Sequence, residues 1–92
     1  MGGAVDEQMG KRLRFRRRAL GMTLGQLAPL IGVRLQQIHK YECGESRMSA
    51  VRVWELAHAL RVPVNYFYEG LTGQAARDPS VAEDGLRKRA RP

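Results

Sequence analysis

Apolar side chains recur every three or four residues along most of the chain, and no segment alternates with period two over the length of a strand. The pattern divides into five short helices. The first runs from about Met9 to Leu20, with Met9, Leu13 and Leu20 on one stripe at 100° per residue, and stops at Gly21. Arg16 falls on the same stripe and breaks it. The second helix follows Thr23, a residue suited to an N-cap, and carries Leu24, Leu27, Ala28 and Ile31. Pro29 inside it predicts a shortened or kinked helix, because proline has no N–H to donate and its ring crowds the preceding turn. Gly32 ends it. The third spans about Leu35 to Cys43 and ends at Gly44. The fourth is capped by Ser49, and Ala50, Val53, Leu56, Ala57 and Leu60 form its apolar face. A fifth short turn, Val64 to Glu69, opens after Pro63 and closes at Gly70. The fold class is therefore all-α, five helices with flexible termini.

Three zones follow from the same pattern. Residues 1–8 are Gly-rich and poorly patterned, and read as a flexible arm. Residues 9–70 form the helical domain. Residues 71–92 hold almost no large apolar side chain and read as a basic, disordered tail. No internal repeat is visible. Between the second and third helices lie only Gly32, Val33 and Arg34, and so short a link is the sequence signature of a helix-turn-helix unit.

The third helix carries the candidate chemistry. On a wheel, Ile38 and Tyr41 point one way with Glu42 at their edge, and Gln36, His39, Lys40 and Cys43 point the other. The second set is polar and long. Glutamine can pair with both hydrogen-bonding groups of adenine in the major groove, and lysine can donate to guanine O6 and N7. Arg34 and Leu35 open the helix, where side chains enter a groove first. Leu35 suits a thymine methyl, and the helix N-terminus favours a phosphate. The plain alternative is a solvated helix face.

Charge shifts the balance. The chain has 16 Lys and Arg against 9 Asp and Glu, a net charge of +7, which favours a polyanionic partner. Six cations crowd the first helix: Lys11, Arg12, Arg14, Arg16, Arg17 and Arg18. Such a cluster can neutralise several phosphates and make binding steeply salt-dependent, although not all six can face DNA together. Arg47 and Arg52 are further phosphate candidates.

At this point the residues carry a resemblance. Met9-Gly10-Lys11-Arg12-Leu13-Arg14, Arg17, Gly21-Met22-Thr23, Leu27-Ala28, Gly32-Val33, Ile38, Lys40-Tyr41-Glu42-Cys43-Gly44, Leu56-Ala57, Leu60, Val62 and Tyr66-Phe67 are similar to the Cro/phage-repressor, or XRE-type, helix-turn-helix family. The match covers about two-thirds of the chain, residues 9–70. The resemblance implies a five-helix domain that docks its third helix in the major groove of double-stranded DNA. It places base reading on Arg34, Leu35, Gln36 and Lys40, to which the wheel adds His39. It places phosphate binding on the loop from Gly44 to Arg47, beside Lys11, Arg12, Arg14, Arg18 and Arg52. It also implies a structural pair, Arg17 with Glu42, tying the first helix to the third. Three positions depart from the family pattern. Leu24 stands where a backbone-contacting Gln is usual, Arg34 where the third helix usually has a Ser or Thr cap, and Arg16 where an apolar residue is preferred. The stem of Arg16 can pack while its charge reaches water.

The function this implies is a sequence-specific transcription regulator, a repressor acting as a homodimer on an inverted-repeat operator. Alternatives are an activator contacting RNA polymerase, an antitoxin-like or other partner-binding module, and a non-specific nucleic-acid binder. No nucleophile with a positioned base and no paired acids suggest an enzyme, and no cofactor is implied. His39 and Cys43 are spaced to share a metal, but a site needs three or four ligands and the only other histidine, His58, lies on another helix. Cys43 beside basic residues could instead sense oxidants. Trp54 reads as half-buried beside the core of the fourth helix or as part of a dimer interface, and Tyr66, Phe67 and Tyr68 as closing the core. Arg87, Lys88, Arg89 and Arg91 can add non-specific DNA affinity. A single cysteine, no membrane-length apolar run and no signal-peptide core predict a cytoplasmic, nucleoid-associated protein with no membrane partner.

Overall fold

The computed structural model describes residues 3–71. The order of elements is α1 (Ala4–Ala19), α2 (Leu24–Leu27), a 3-10 turn (Ala28–Ile31), α3 (Leu35–Glu42), α4 (Ala50–Leu60) and a second 3-10 turn (Val64–Tyr68). The domain is all-helical among the described residues. The second predicted helix is split where Pro29 requires it, one α-turn passing into a 3-10 turn. The fifth is a 3-10 turn rather than an α-helix. The predicted basic tail lies outside the described residues, except for Leu71.

The helix start at Met9 is corrected: α1 begins at Ala4, inside the segment expected to be a flexible arm. Its buried positions are Asp6, Met9, Gly10, Leu13 and Arg17, spaced as one continuous helix face. The first buried position is a carboxylate, so apolar periodicity could not see it. Asp6 also reaches back to accept the Gly3 N–H at 3.3 Å, and with Glu7 it places negative charge at the positive end of the helix dipole. At the other end Leu20, expected on the apolar stripe, is 40% exposed, because the helix has already ended and Gly21 turns the chain at φ +68°.

Caps set the other boundaries. The Thr23 hydroxyl accepts the Gln26 N–H at 3.1 Å while the Gln26 side chain accepts the Thr23 N–H at 2.8 Å, a reciprocal capping box. Ser49 accepts the Arg52 N–H at 3.1 Å. Arg34 stands at the N-cap of α3 without a side-chain cap bond. At the end of α4, Arg61 adopts a left-handed conformation, and Arg16 donates through Nε to the Leu60 carbonyl at 2.9 Å. The apparent flaw in the first stripe is thus a cap on another helix.

The core is formed by Leu13 of α1, Leu27 of α2, Ile38 of α3, Val53, Leu56 and Leu60 of α4 and Phe67 of the last turn, all essentially inaccessible. Burial of each such side chain stabilises the domain by roughly 1.5–3 kcal/mol. Phe67 closes the core as expected. Tyr66 is only partly buried and Tyr68 is 44% exposed. No helix among the described residues is long and apolar enough to cross a membrane.

Candidate nucleic-acid interface

The orientation of α3 is fixed from its inner side. Ile38 and Tyr41 sink into the core, and the Glu42 carboxylate is taken by Arg17 of α1, with Nε 2.6 Å from Oε2 and Nη2 3.0 Å from Oε1. Both side chains are buried, and the third nitrogen of Arg17 donates to the Met22 carbonyl at 2.8 Å. The hydrogen bonds it donates to Glu42 hold the guanidinium in its charged form, raising its pKa further despite burial. Arg14 adds a 3.3 Å contact to Glu42 Oε1. Gly10 lets α1 touch the end of α3: a Cβ there would collide with the carbonyl oxygens of Tyr41 and Glu42. Helix α3 is therefore locked to α1 in rotation and in register.

With the inner side locked, the outer side is presented. Arg34, Leu35, Gln36, His39 and Lys40 are all exposed. Arg34, Gln36 and Lys40 share a shallow cleft with Gln37 and Arg52. No hydrogen bond or ion pair ties the side chains of Arg34, Gln36 or Lys40 to other described residues. His39 Nε2 lies 3.5 Å from the Cys43 sulfur. Gln37, which the wheel did not single out, lines the same cleft and is half-buried. All five candidate base-reading side chains thus lie exposed on α3 or at its N-cap.

The candidate phosphate ligands divide. Lys11 and Arg18 flank the exposed Phe15 on the face of α1 turned away from the core, without partners among the described residues. The Arg14 side chain is 42% exposed and engages Glu42 through Nε alone. Arg12 does not stand free as expected. It donates through Nε to the Tyr66 carbonyl at 2.9 Å, pairs with Glu69 at 2.5 Å and lies 3.8 Å above the Tyr66 ring, stapling α1 to the C-terminal turn. Arg52 is likewise engaged, with the Tyr41 hydroxyl at 3.2 Å, the Ile31 carbonyl at 3.3 Å and Glu55 at 2.7 Å. Gly44 is buried, and its N–H already donates to the Tyr41 carbonyl at 3.1 Å. Its left-handed φ of +77° and its seat against Glu7 make it a packing glycine.

Arg47 is 79% exposed in its side chain and is held by Asp6 through Nε and Nη2 at 3.2 Å. The hydrogen bonds from Arg47 lower the Asp6 pKa, outweighing the opposing effect of burial. Sequence reasoning missed Asp6. The signal was its place one turn ahead of Met9 and Gly10 on the buried stripe. Trp54 is 55% exposed and stacks on His58 with ring centroids 4.5 Å apart.

A short helix-helix link, an outer polar face on the second of the two helices and a basic surround define a DNA-binding helix-turn-helix domain. Comparison with known proteins carries this to a family. The model of the helix-turn-helix family matches residues 13–67, and the chain belongs to the Cro/XRE-type helix-turn-helix family, a family of DNA-binding transcription regulators. Over 67 residues it is 49% identical to an uncharacterized transcriptional regulator in the ATPase CF(0) region of Rhodospirillum rubrum, covering 73% of this chain and 62% of that protein. An uncharacterized HTH-type transcriptional regulator of Sinorhizobium medicae is 39% identical over 80 residues, covering 86% and 58%. The chain thus spans about three-fifths of the length of these curated relatives. Among solved structures, the restriction-modification controller protein C.AhdI of Aeromonas hydrophila superposes with a TM-score of 0.68 at 31% identity, over 71% of this chain and 98% of that one. The clp gene regulator ClgR of C. glutamicum superposes with a TM-score of 0.71 at 26% identity, over 83% and 99%.

Proposed function

We propose that this chain reads double-stranded DNA in the major groove through α3, and that it acts as a homodimeric repressor on an inverted-repeat operator. The observation that carries the reading is the asymmetry of α3. Its inner side is locked to α1 by the buried Arg17–Glu42 pair, while Arg34, Gln36 and Lys40 stand exposed and without partners among the described residues. A reading helix needs both properties: fixed rotation so that each side chain meets one base edge, and unsatisfied donors and acceptors to form the bonds. Gln36 and Lys40 read bases, with Arg34, Leu35 and His39 at the edges of the contact. Arg14, Arg47, Lys11 and Arg18 supply the phosphate contacts, whereas Arg12, Arg52 and Gly44 support the fold. Two copies on an inverted repeat would place their α3 helices about one helical turn of DNA apart. Bound across a promoter, such a dimer represses by occlusion.

The test is selection of bound duplexes from a random library at physiological salt, followed by measurement of the number of chains on the selected site. The reading predicts an inverted repeat with half-sites spaced by about 10–10.5 base pairs and two chains per site. Enrichment of no motif, or a single half-site holding one chain, would overturn sequence-specific dimeric binding.

A further inference from the structure

We infer that Asp6 is a positioning residue for DNA binding: it holds Arg47 so that the free edge of the guanidinium faces a backbone phosphate beside α3. The inference rests on the proposed docking of α3. Arg47 lies in the loop between α3 and α4. Its Nε is 3.2 Å from Asp6 Oδ1 and 3.4 Å from Oδ2, and its Nη2 is 3.2 Å from Oδ2. One edge of the planar fork is therefore occupied, while Nη1 has no partner among the described residues. The burial of the two partners is opposite, the Asp6 side chain being 6% exposed and that of Arg47 79%. Asp6 is itself steadied from behind by the Gly3 N–H.

The loop is held at a second point. Gly44 rests on the backbone of Glu7, where a Cβ would lie 2.9 Å from the Glu7 Cα. The first turns of α1, the end of α3 and the following loop are thus joined at three places: Gly10, Gly44 and Arg47. An unrestrained arginine loses much rotamer freedom when it grips a phosphate, and one already oriented loses less. Against this, the Asp6 carboxylate lowers the local positive potential that attracts DNA. A charge-assisted contact acts at hydrogen-bond distance, whereas the potential of one exposed charge is screened over about 8 Å at physiological salt. Orientation is therefore the larger effect.

The experiment uses the full chain and a labelled mixed-sequence 30-base-pair duplex, with affinity followed by fluorescence anisotropy across a potassium chloride series. Folding of each variant is checked by circular dichroism. Arg47→Ala is expected to weaken binding about tenfold and to flatten the slope of log K against log salt by about one. Asp6→Asn is expected to weaken binding several-fold, and to have no further effect in the Arg47→Ala background. Arg47→Lys keeps the charge and leaves Asp6 intact but lacks the fork, so it should lose most of what Arg47→Ala loses. It tests the inference even if Asp6→Asn melts the first turn. An unchanged or tighter affinity for Asp6→Asn, additive losses in the double variant, or native affinity for Arg47→Lys would each overturn the inference while leaving DNA binding intact. No binding by the unsubstituted chain would instead overturn the reading on which it rests.

Discussion

Helices α1 and α3 both carry exposed-looking polar residues in the sequence, but they use them in opposite ways. On α1, Arg12, Arg14, Arg16 and Arg17 all have partners within the fold: the C-terminal turn, Glu42, the end of α4 and Glu42 again. On α3, the side chains of Gln36 and Lys40 have none among the described residues. The lesson is that a run of arginines is not a measure of charge available to DNA. An arginine has five donors in a fixed fork and finds intramolecular carbonyls and carboxylates readily, so most of the cluster on α1 fastens helices together.

The strongest way to break this contrast is to remove the lock beneath α3. Glu42→Ala leaves Arg17 buried and unpaired and should cost about 3–5 kcal/mol, measured by urea denaturation. In a domain this small that is much of the total stability, and DNA binding should fall with it. Next in size, Gln36→Ala should lower affinity for the preferred site by about 1–3 kcal/mol and relax preference at one base pair, with the thermal midpoint unchanged. Loss of stability instead would place Gln36 on the supporting side of the comparison.

How far the sequence foretells this division depends on which residues carry each part. The apolar stripes, Thr23, Ser49, Pro29 and the glycines at 21, 32 and 44 locate every helix from α2 onward, because burial and capping act over three or four residues. The outward set on α3 follows from the same periodicity. What escapes is polar and non-local. Asp6 finds Arg47 across 41 residues, Arg12 finds Glu69 across 57 and Arg16 finds the Leu60 carbonyl across 44. Helical spacing shows which face a residue occupies, but not which distant partner that face will meet.

Two smaller effects sharpen the comparison. Arg12→Ala should remove an exposed ion pair and a cation–π contact, together about 1 kcal/mol of stability by thermal unfolding, without altering the salt dependence of DNA binding. A flatter salt slope would return Arg12 to the phosphate contacts. The smallest effect concerns Asp6. Its pKa is lowered in the fold, so its contribution is fully present above the ordinary aspartate value of about 3.9 and disappears as pH falls through the lower folded value. Between pH 7 and 5 the Asp6–Arg47 pair should contribute equally. In stability measured by denaturation, Asp6→Asn should differ from the unsubstituted chain near neutrality and converge with it in strong acid. A difference that persists in strong acid would show that Asp6 acts by something other than its charge.

The central claim, that α3 reads bases while α1 holds it in place, is tested most directly by selecting duplexes from one random library with the unsubstituted chain and with Gln36→Lys in parallel. The account predicts two motifs alike in spacing and symmetry that differ at a single position in each half-site, with guanine replacing adenine. Identical motifs from the two proteins would contradict it.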